Sequence, residues 1–341
     1  MSFDRGQVAS ALTAGIVETN LALNLDPNLS DSYSGSGTTV TDLSGAARHG
    51  TLAGTPLPVF DSISPKSFSF TRAYVGNTSS TASKITINSK FLTDNFTIQT
   101  WIKTSQVGYG TQHYTTMYIM ASECGGGAAD WGMGVNSTGK LAFGAGNSDT
   151  TFATTEAVNT NTWVNVAASR EKANGQIKLY INGVLKTTGT GNAGNSLTCS
   201  ADSKTWIGNG QDAPAYSFGG NISSLLAYTS VLSAADILTN YNATVNTFNP
   251  VTYTITYDAN GATSGSVPAN GSFTSGGTPA AVSANTGTLA RTGYTFGGWN
   301  TAANGSGTPY GAGSSTYSSN ANVTMYAVWT PIPTTTTTST T

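Results

Sequence analysis

An all-β protein, an antiparallel sandwich followed by a smaller β module, is what the 341-residue sequence predicts. Three observations carry that reading. Runs such as Phe96–Lys103 alternate, the period of a strand with two distinct faces. Asn182-Gly183 stands between two such runs, and both residues tolerate the positive φ that a tight type I′ hairpin requires. Charged residues make up only 9% of the chain, and beyond Asn249 only Asp258 and Arg291 remain, so the chain changes character near Thr247–Val251.

Taken in order, residues 1–19 predict a short amphipathic helical arm, with Val8, Leu12, Ile16 and Val17 at roughly helical spacing within Gln7–Thr19. Residues 20–247 form the sandwich. Within it, Phe96, Ile98, Thr100 and Ile102 share one face and Gln99 and Trp101 the other. Val164, Val166 and Ala168 make a second apolar face, and Ile177–Ile181 a third that returns as Val184-Leu185-Lys186. Trp101, Trp163 and Tyr180 fall opposite the Val/Ile face and are read as buried rather than as a stacking platform. Ser233 with Asp236 three residues on predicts a capped helix carrying Ile237, Leu238 and Tyr241. Residues 252–331 form the second module. Tyr253, Ile255 and Tyr257 share one strand face there, and Phe296, Trp299 and Trp329 supply most of the expected core. Residues 332–341 are a Thr-rich linker that cannot build a core.

Composition excludes several classes of function. A net charge of −2 with 14 scattered Lys and Arg offers no basic stripe, so no nucleic-acid partner is expected. No apolar run reaches the length of about 18 residues that a spanning helix needs, so no membrane insertion is expected. The first twenty residues lack the plan of a secretory signal, so the exterior would be reached either with a leader outside this sequence or by assembly into a particle. Cys124 and Cys199 have no zinc-ligand spacing; they are either bridged or two separate thiols. A surface of hydroxyls and amides fits an extracellular protein on a cell or virion surface.

An ordered series of motifs between about residues 20 and 245 resembles the laminin-G-like or concanavalin A-like jelly roll of bacterial and phage proteins. They are Leu21–Asp26, Thr41–Gly45 with His49-Gly50, Phe96–Trp101, Thr162–Val166, Leu179–Gly183, Trp206–Gly208 and Gly219–Ser223 leading to Leu232–Ile237. Tyr253–Gly261, Gly293–Trp299 and Met325–Trp329 resemble the Listeria-Bacteroides repeat of internalin-type surface proteins. The two resemblances imply a jelly roll followed by a small β-grasp-like repeat, the latter a unit of larger multi-repeat assemblies. Members of the jelly-roll family often hold calcium at the sandwich rim.

Catalysis finds little support in the residues. The four glutamates, Glu18, Glu123, Glu156 and Glu171, are scattered and form no paired run of the kind a glycosidase uses. His49 and His113 leave little for a nucleophile–base mechanism; His49 reads as structural, and Asp42 as fixing its own turn. Gly189–Gly194 fits a G-x-G-x-x-G pattern but follows a hairpin and opens no helix, and Ser200–Trp206 is one residue short of an Asp-box. A non-catalytic recognition module remains, for a glycan or a cell-surface protein. The alternatives are a structural element of a virion or surface filament, and a glycoside hydrolase. The expected ligand residues are Trp131, Asn209, Asp212 and Tyr216, where aromatic and amide groups adjoin in loops. Asp130 and Asp212 are the expected calcium ligands, with Asn209 as a third donor, against the alternative of solvated loop acids.

Overall fold

The computed structural model describes residues 15–72, 82–122, 129–146, 150–198, 204–210 and 216–333. The chain divides into two compact units, Met1–Phe248 and Asn249–Thr341. The first opens with β1 (Leu21–Leu25), β2 (Thr39–Val40), β3 (Gly50–Ala53), β4 (Val59–Asp61), β5 (Ser67–Phe70) and β6 (Lys84–Ile87). Its middle holds β7 (Phe96–Lys103), β8 (Met117–Ser122), β9 (Trp131–Val135), β10 (Lys140–Ala145) and β11 (Thr151–Ala157). It closes with β12 (Val164–Glu171), β13 (Gln176–Ile181), β14 (Val184–Thr190), β15 (Thr205–Ile207), β16 (Gly220–Tyr228) and helix α1 (Ala234–Phe248).

Two antiparallel sheets result. The first runs β14-β13-β12-β7-β16-β5-β4 with β1 also on β16, and the second runs β11-β10-β9-β8-β15-β6-β3-β2. Alternation fills the space between them. Phe96, Ile98 and Ile102 of β7, Val164, Val166 and Ala168 of β12, and Ile177, Leu179 and Ile181 of β13 join Met133, Val135, Leu141 and Phe143 in one core. The β13–β14 turn is the expected hairpin, with Asn182 at φ 50 and Gly183 at φ 76. At their free edges the sheets are tied by Lys186 of β14, which pairs with Glu156 of β11 at 2.7 Å.

The outer face of the first sheet is covered by α1. Ser233 Oγ accepts from Asp236 N while Ser233 N donates to the Asp236 carboxylate, each at 3.1 Å, a reciprocal cap. Trp101 stacks on Phe248 with centroids 4.5 Å apart, and its indole N–H donates to Thr244 Oγ1 at 2.9 Å. Trp101 and Tyr180 are buried, as the alternation implies. The expected helix over Gln7–Thr19 falls largely on residues 1–14, outside the described residues, and residues 15–19 are not helical. There the backbone is captured by side chains instead: Val17 N donates to Asn240 Oδ1 at 2.8 Å and Val17 O accepts from the Tyr228 hydroxyl at 2.9 Å. Two tertiary bonds on adjacent groups outweigh a weak local helical pattern.

The second unit contains β17 (Thr252–Asp258), β18 (Gly271–Thr274), β19 (Ala280–Ala281), β20 (Tyr294–Asn300), β21 (Pro309–Tyr310), β22 (Thr316–Tyr317) and β23 (Val323–Pro331). Its main sheet runs β18-β17-β23-β20-β21, with β19 paired to β22 beside it. First and last strands, β17 and β23, pair in parallel and close the module. Trp299 is fully buried with Ile255, Tyr257, Met325 and Tyr317, whereas Phe296 and Trp329 only edge the core. The expected aromatic trio therefore contributes one central member and two flanking ones.

Candidate functional site

The connection from β7 to β8, residues 104–116, is long, yet backbone hydrogen bonds pin it at several points. Gly108 N donates to Asn136 O at 3.0 Å, Tyr109 N and Gly110 N donate to Thr115 O, and Ser137 N donates to Gly110 O at 2.9 Å. The segment lies on the outer face of the second sheet, where β9 and β10 leave small residues outward. Ala121, Gly132 and Gly144 stand in cross-strand register, ending at Thr151. A Cβ at Gly134 would meet Thr116 Oγ1 at 2.3 Å, and one at Gly108 would meet Val135 O at the same distance, so glycine permits the close approach at both places. The turn His113–Thr115 is thereby clamped, with Thr116 Oγ1 donating to His113 O at 2.8 Å.

This clamped segment presents an aromatic group. Tyr109 is 60% exposed, and its ring meets that of Tyr216 at 6.2 Å and 60°. Tyr216 in turn stands edge-on to the buried Tyr118 at 6.3 Å and 90°. The three rings form a step descending from solvent into the sheet. Beside it, Arg72 Nη1 donates to Val107 O at 2.5 Å, and burial pulls the Arg72 guanidinium below its ordinary pKa.

The expected ligand residues fare unequally. Trp131 is corrected: it is only 1% exposed and belongs to the core, stacked on Phe143 at 6.4 Å and tilted against Phe96 at 5.4 Å. Residues 131, 133 and 135 of β9 all point inward, so the strand's period, not the neighbouring loop, decides the indole's direction. Asn209 is also buried, its Oδ1 accepting from Gly210 N at 2.9 Å, so its amide shapes its own turn rather than facing a ligand. Tyr216 does sit at the rim, half-buried beneath Tyr109. Asp212 lies outside the described residues, as do Cys124 and Cys199. Asp130 is half-buried just before β9, its carbonyl accepting from Gly146 N at 2.7 Å. Among the described residues no three His, Cys, Asp or Glu side chains converge as metal ligands, so calcium at Asp130 depends on Asp212 and on carbonyl oxygens.

Sequence reasoning missed Tyr109. Its signal was Gly108-Tyr109-Gly110, an aromatic between two glycines in a long connection. The Gly189–Gly194 stretch is a packed turn rather than a phosphate cradle. Buried Arg170 donates to Asn192 O at 3.1 Å and Asn195 O at 2.7 Å, while a third bond reaches Asp94 O at 2.7 Å. Those bonds occupy the guanidinium with carbonyl oxygens of the chain itself.

The fold is an antiparallel β-sandwich joined to a small β module. Residues 77–238 match the family described as the concanavalin A-like lectin/glucanases superfamily, and residues 253–328 match the Listeria-Bacteroides repeat domain. The chain thus joins one domain of each kind, in that order. No curated protein matches it. Among solved structures, it resembles one described by the cell entry of botulinum neurotoxin type C and its interaction with two ganglioside molecules. That match has 17% identity and a TM-score of 0.47 and covers 67% of this chain and 52% of that one. It also resembles domain 4 of an extracellular arabinanase from Geobacillus stearothermophilus in complex with arabinotriose, at 18% identity and a TM-score of 0.45, covering 64% of this chain and 97% of that domain. The chain spans about half the length of the neurotoxin structure.

Proposed function

We propose that the first unit is a non-catalytic glycan-binding module that receives a saccharide on the Tyr109–Tyr216 step. The observation carrying this reading is the 60% exposure of a tyrosine whose own N–H donates to Thr115 O and whose two neighbours are bonded to Asn136 and Ser137, so that the plate is held on both sides. Buried carboxylates support a binding rather than hydrolytic role. Asp42 is wrapped by four donors, and Asp26 accepts from Asn28 N and Asn28 Nδ2, so both are engaged in holding turns. The setting is extracellular, on a cell or virion surface, and the Listeria-Bacteroides repeat acts as a spacer within a larger assembly. Calcium ligation by Asp130 and Asp212 belongs to the same proposal.

A glycan array with the whole chain, with and without EDTA, tests it. Binding to a defined set of glycans is expected, reduced about tenfold or more by Tyr109→Ala and retained by Tyr109→Phe, which corresponds to at least about 1.4 kcal/mol. Absence of any glycan signal, or a signal indifferent to Tyr109→Ala, removes the rim reading. Loss in EDTA restored by calcium supports the metal.

A further inference from the structure

At the opposite edge of the second sheet from the Tyr109 segment, a polar cleft of about 580 Å³ opens across β2, β3 and β6. Its volume falls within the range of about 300–1,000 Å³ typical of small-ligand sites. Thr39 and Thr51, paired in register, form part of its lining. Arg48 and His49 line it from the β2–β3 connection, and Asn88 and Ser89 from the end of β6.

The connection carrying Arg48 and His49 is built around one buried carboxylate. Asp42 Oδ1 accepts from Asn24 N and Ser44 N, and its Oδ2 accepts from Ser44 Oγ and Arg48 N, all at 2.9 Å. Asp42 does not line the cleft, and these four donors occupy both its oxygens. The Asp42 backbone N–H donates to His49 Nδ1 at 3.1 Å. A backbone N–H only donates, so Nδ1 is unprotonated and the proton of the neutral ring sits on Nε2, leaving an exposed donor. The Arg48 guanidinium lies over the Phe91 ring at 4.7 Å and spends one N–H on Ala22 O at 2.9 Å. Its remaining N–H groups keep the planar fork that matches a carboxylate.

Two features select the ligand. Among the described residues no Asp or Glu lines the cleft, and Arg48 is the one cation among its described lining residues. The side chains of Thr39, Thr51, Asn88 and Ser89 make no hydrogen bond among the described residues, so hydroxyl and amide groups stand unspent in the lining they share with Arg48. One charged fork ringed by neutral donors and acceptors is complementary to a molecule with one carboxylate and several hydroxyls. We propose that this cleft is a second, separate saccharide site that takes an acidic sugar of the uronic acid class, its carboxylate on Arg48 and its hydroxyls on His49 Nε2, Asn88 and the threonines. The site does not depend on the Tyr109 step.

The test is titration of the isotopically labelled whole chain with sodium D-glucuronate, D-glucose and sodium acetate, following backbone amide resonances. Saturable shifts at Arg48, His49 and Asn88 with glucuronate alone are expected. Arg48→Gln should weaken that binding about tenfold or more and Asn88→Ala several-fold, with Tyr109→Ala leaving it unchanged. Because Asn88 is exposed and holds no part of the fold together, its variant guards against a folding artefact. Equal response to glucose overturns the acidic class, equal response to acetate overturns the sugar, and no shift at these residues overturns the site. Loss of glycan binding through Tyr109 with glucuronate shifts intact would separate failure of the rim from failure of this cleft.

Discussion

His113 closes over Gly144: a side-chain carbon at Gly144 would stand 2.6 Å from the imidazole Nδ1, while His113 N donates to Thr151 Oγ1 at 2.8 Å. Because His113 is 2% exposed, it has no room to move aside, and the whole 104–116 segment is levered by what lies beneath it. The glycine under the histidine therefore gives room to the segment that carries Tyr109.

Gly144→Ala is expected to destabilise the first unit by about 1–3 kcal/mol, the usual penalty of overpacking a filled site. It should also weaken binding at the Tyr109 step while sparing the Arg48 cleft. Thermal melting read together with the two titrations checks this. A variant that melts like the parent would show that the contact yields easily.

The β13–β14 hairpin gives a second expectation. Asn182 holds φ 50, and its Oδ1 accepts from Asn165 N at 3.0 Å, so it serves both the turn and the neighbouring strand. Asn182→Ala loses both and should cost about 1–2 kcal/mol, whereas Asn182→Gly keeps the backbone freedom and should recover part of it. Chemical denaturation of the three proteins decides; equal midpoints for Ala and Gly would leave only the side-chain bond.

pH acts on the tie between the two sheets. The Lys186 ammonium, with a smaller contribution from the Thr155 hydroxyl, holds the Glu156 carboxyl at about 2, below its ordinary 4.5. A depressed carboxylate stabilises the fold fully above 4.5 and loses that contribution as pH falls through about 2. The Glu156 side chain is 47% exposed, so the effect is small and shrinks with added salt. The melting difference between the parent and Glu156→Gln should be positive at neutral pH and vanish near pH 2. A difference that persists at that pH would point to packing rather than charge.

Much of this architecture was legible because alternation and turn chemistry act locally. Phe96–Lys103, the Asn182-Gly183 hairpin and the Ser233 cap each depend on neighbours within a few residues, and each stands where its pattern places it. Trp131 was not legible as core from its flanking glycines and acid, since its side follows from the register of β9 against β8 and β10. Nor was the fate of Ile16-Val17, whose partners Asn240 and Tyr228 lie more than two hundred residues away. The Arg48 cleft joins three strands, a grouping that no local window contains.

The last expectation concerns the boundary at Phe248. The second unit has its own core, and the parallel pairing of β17 with β23 joins its beginning to its end, so its closure needs nothing from the first unit. Trp299 anchors that core: it is 1% exposed, its ring meets Tyr257 at 4.7 Å, and its indole N–H donates to Ser283 O at 2.8 Å. A fragment of residues 250–331 should therefore fold alone, and calorimetry of the whole chain should show two transitions. Trp299→Ala removes the largest side chain of a small core and leaves Ser283 O unpaired, which should cost about 3–5 kcal/mol in the second unit. Its transition should move down or disappear while the first unit's stays in place. If instead both transitions shift together, or the fragment gives the spectrum of an unfolded chain, the two units share a cooperative core and the boundary at Phe248 is one of contact density alone.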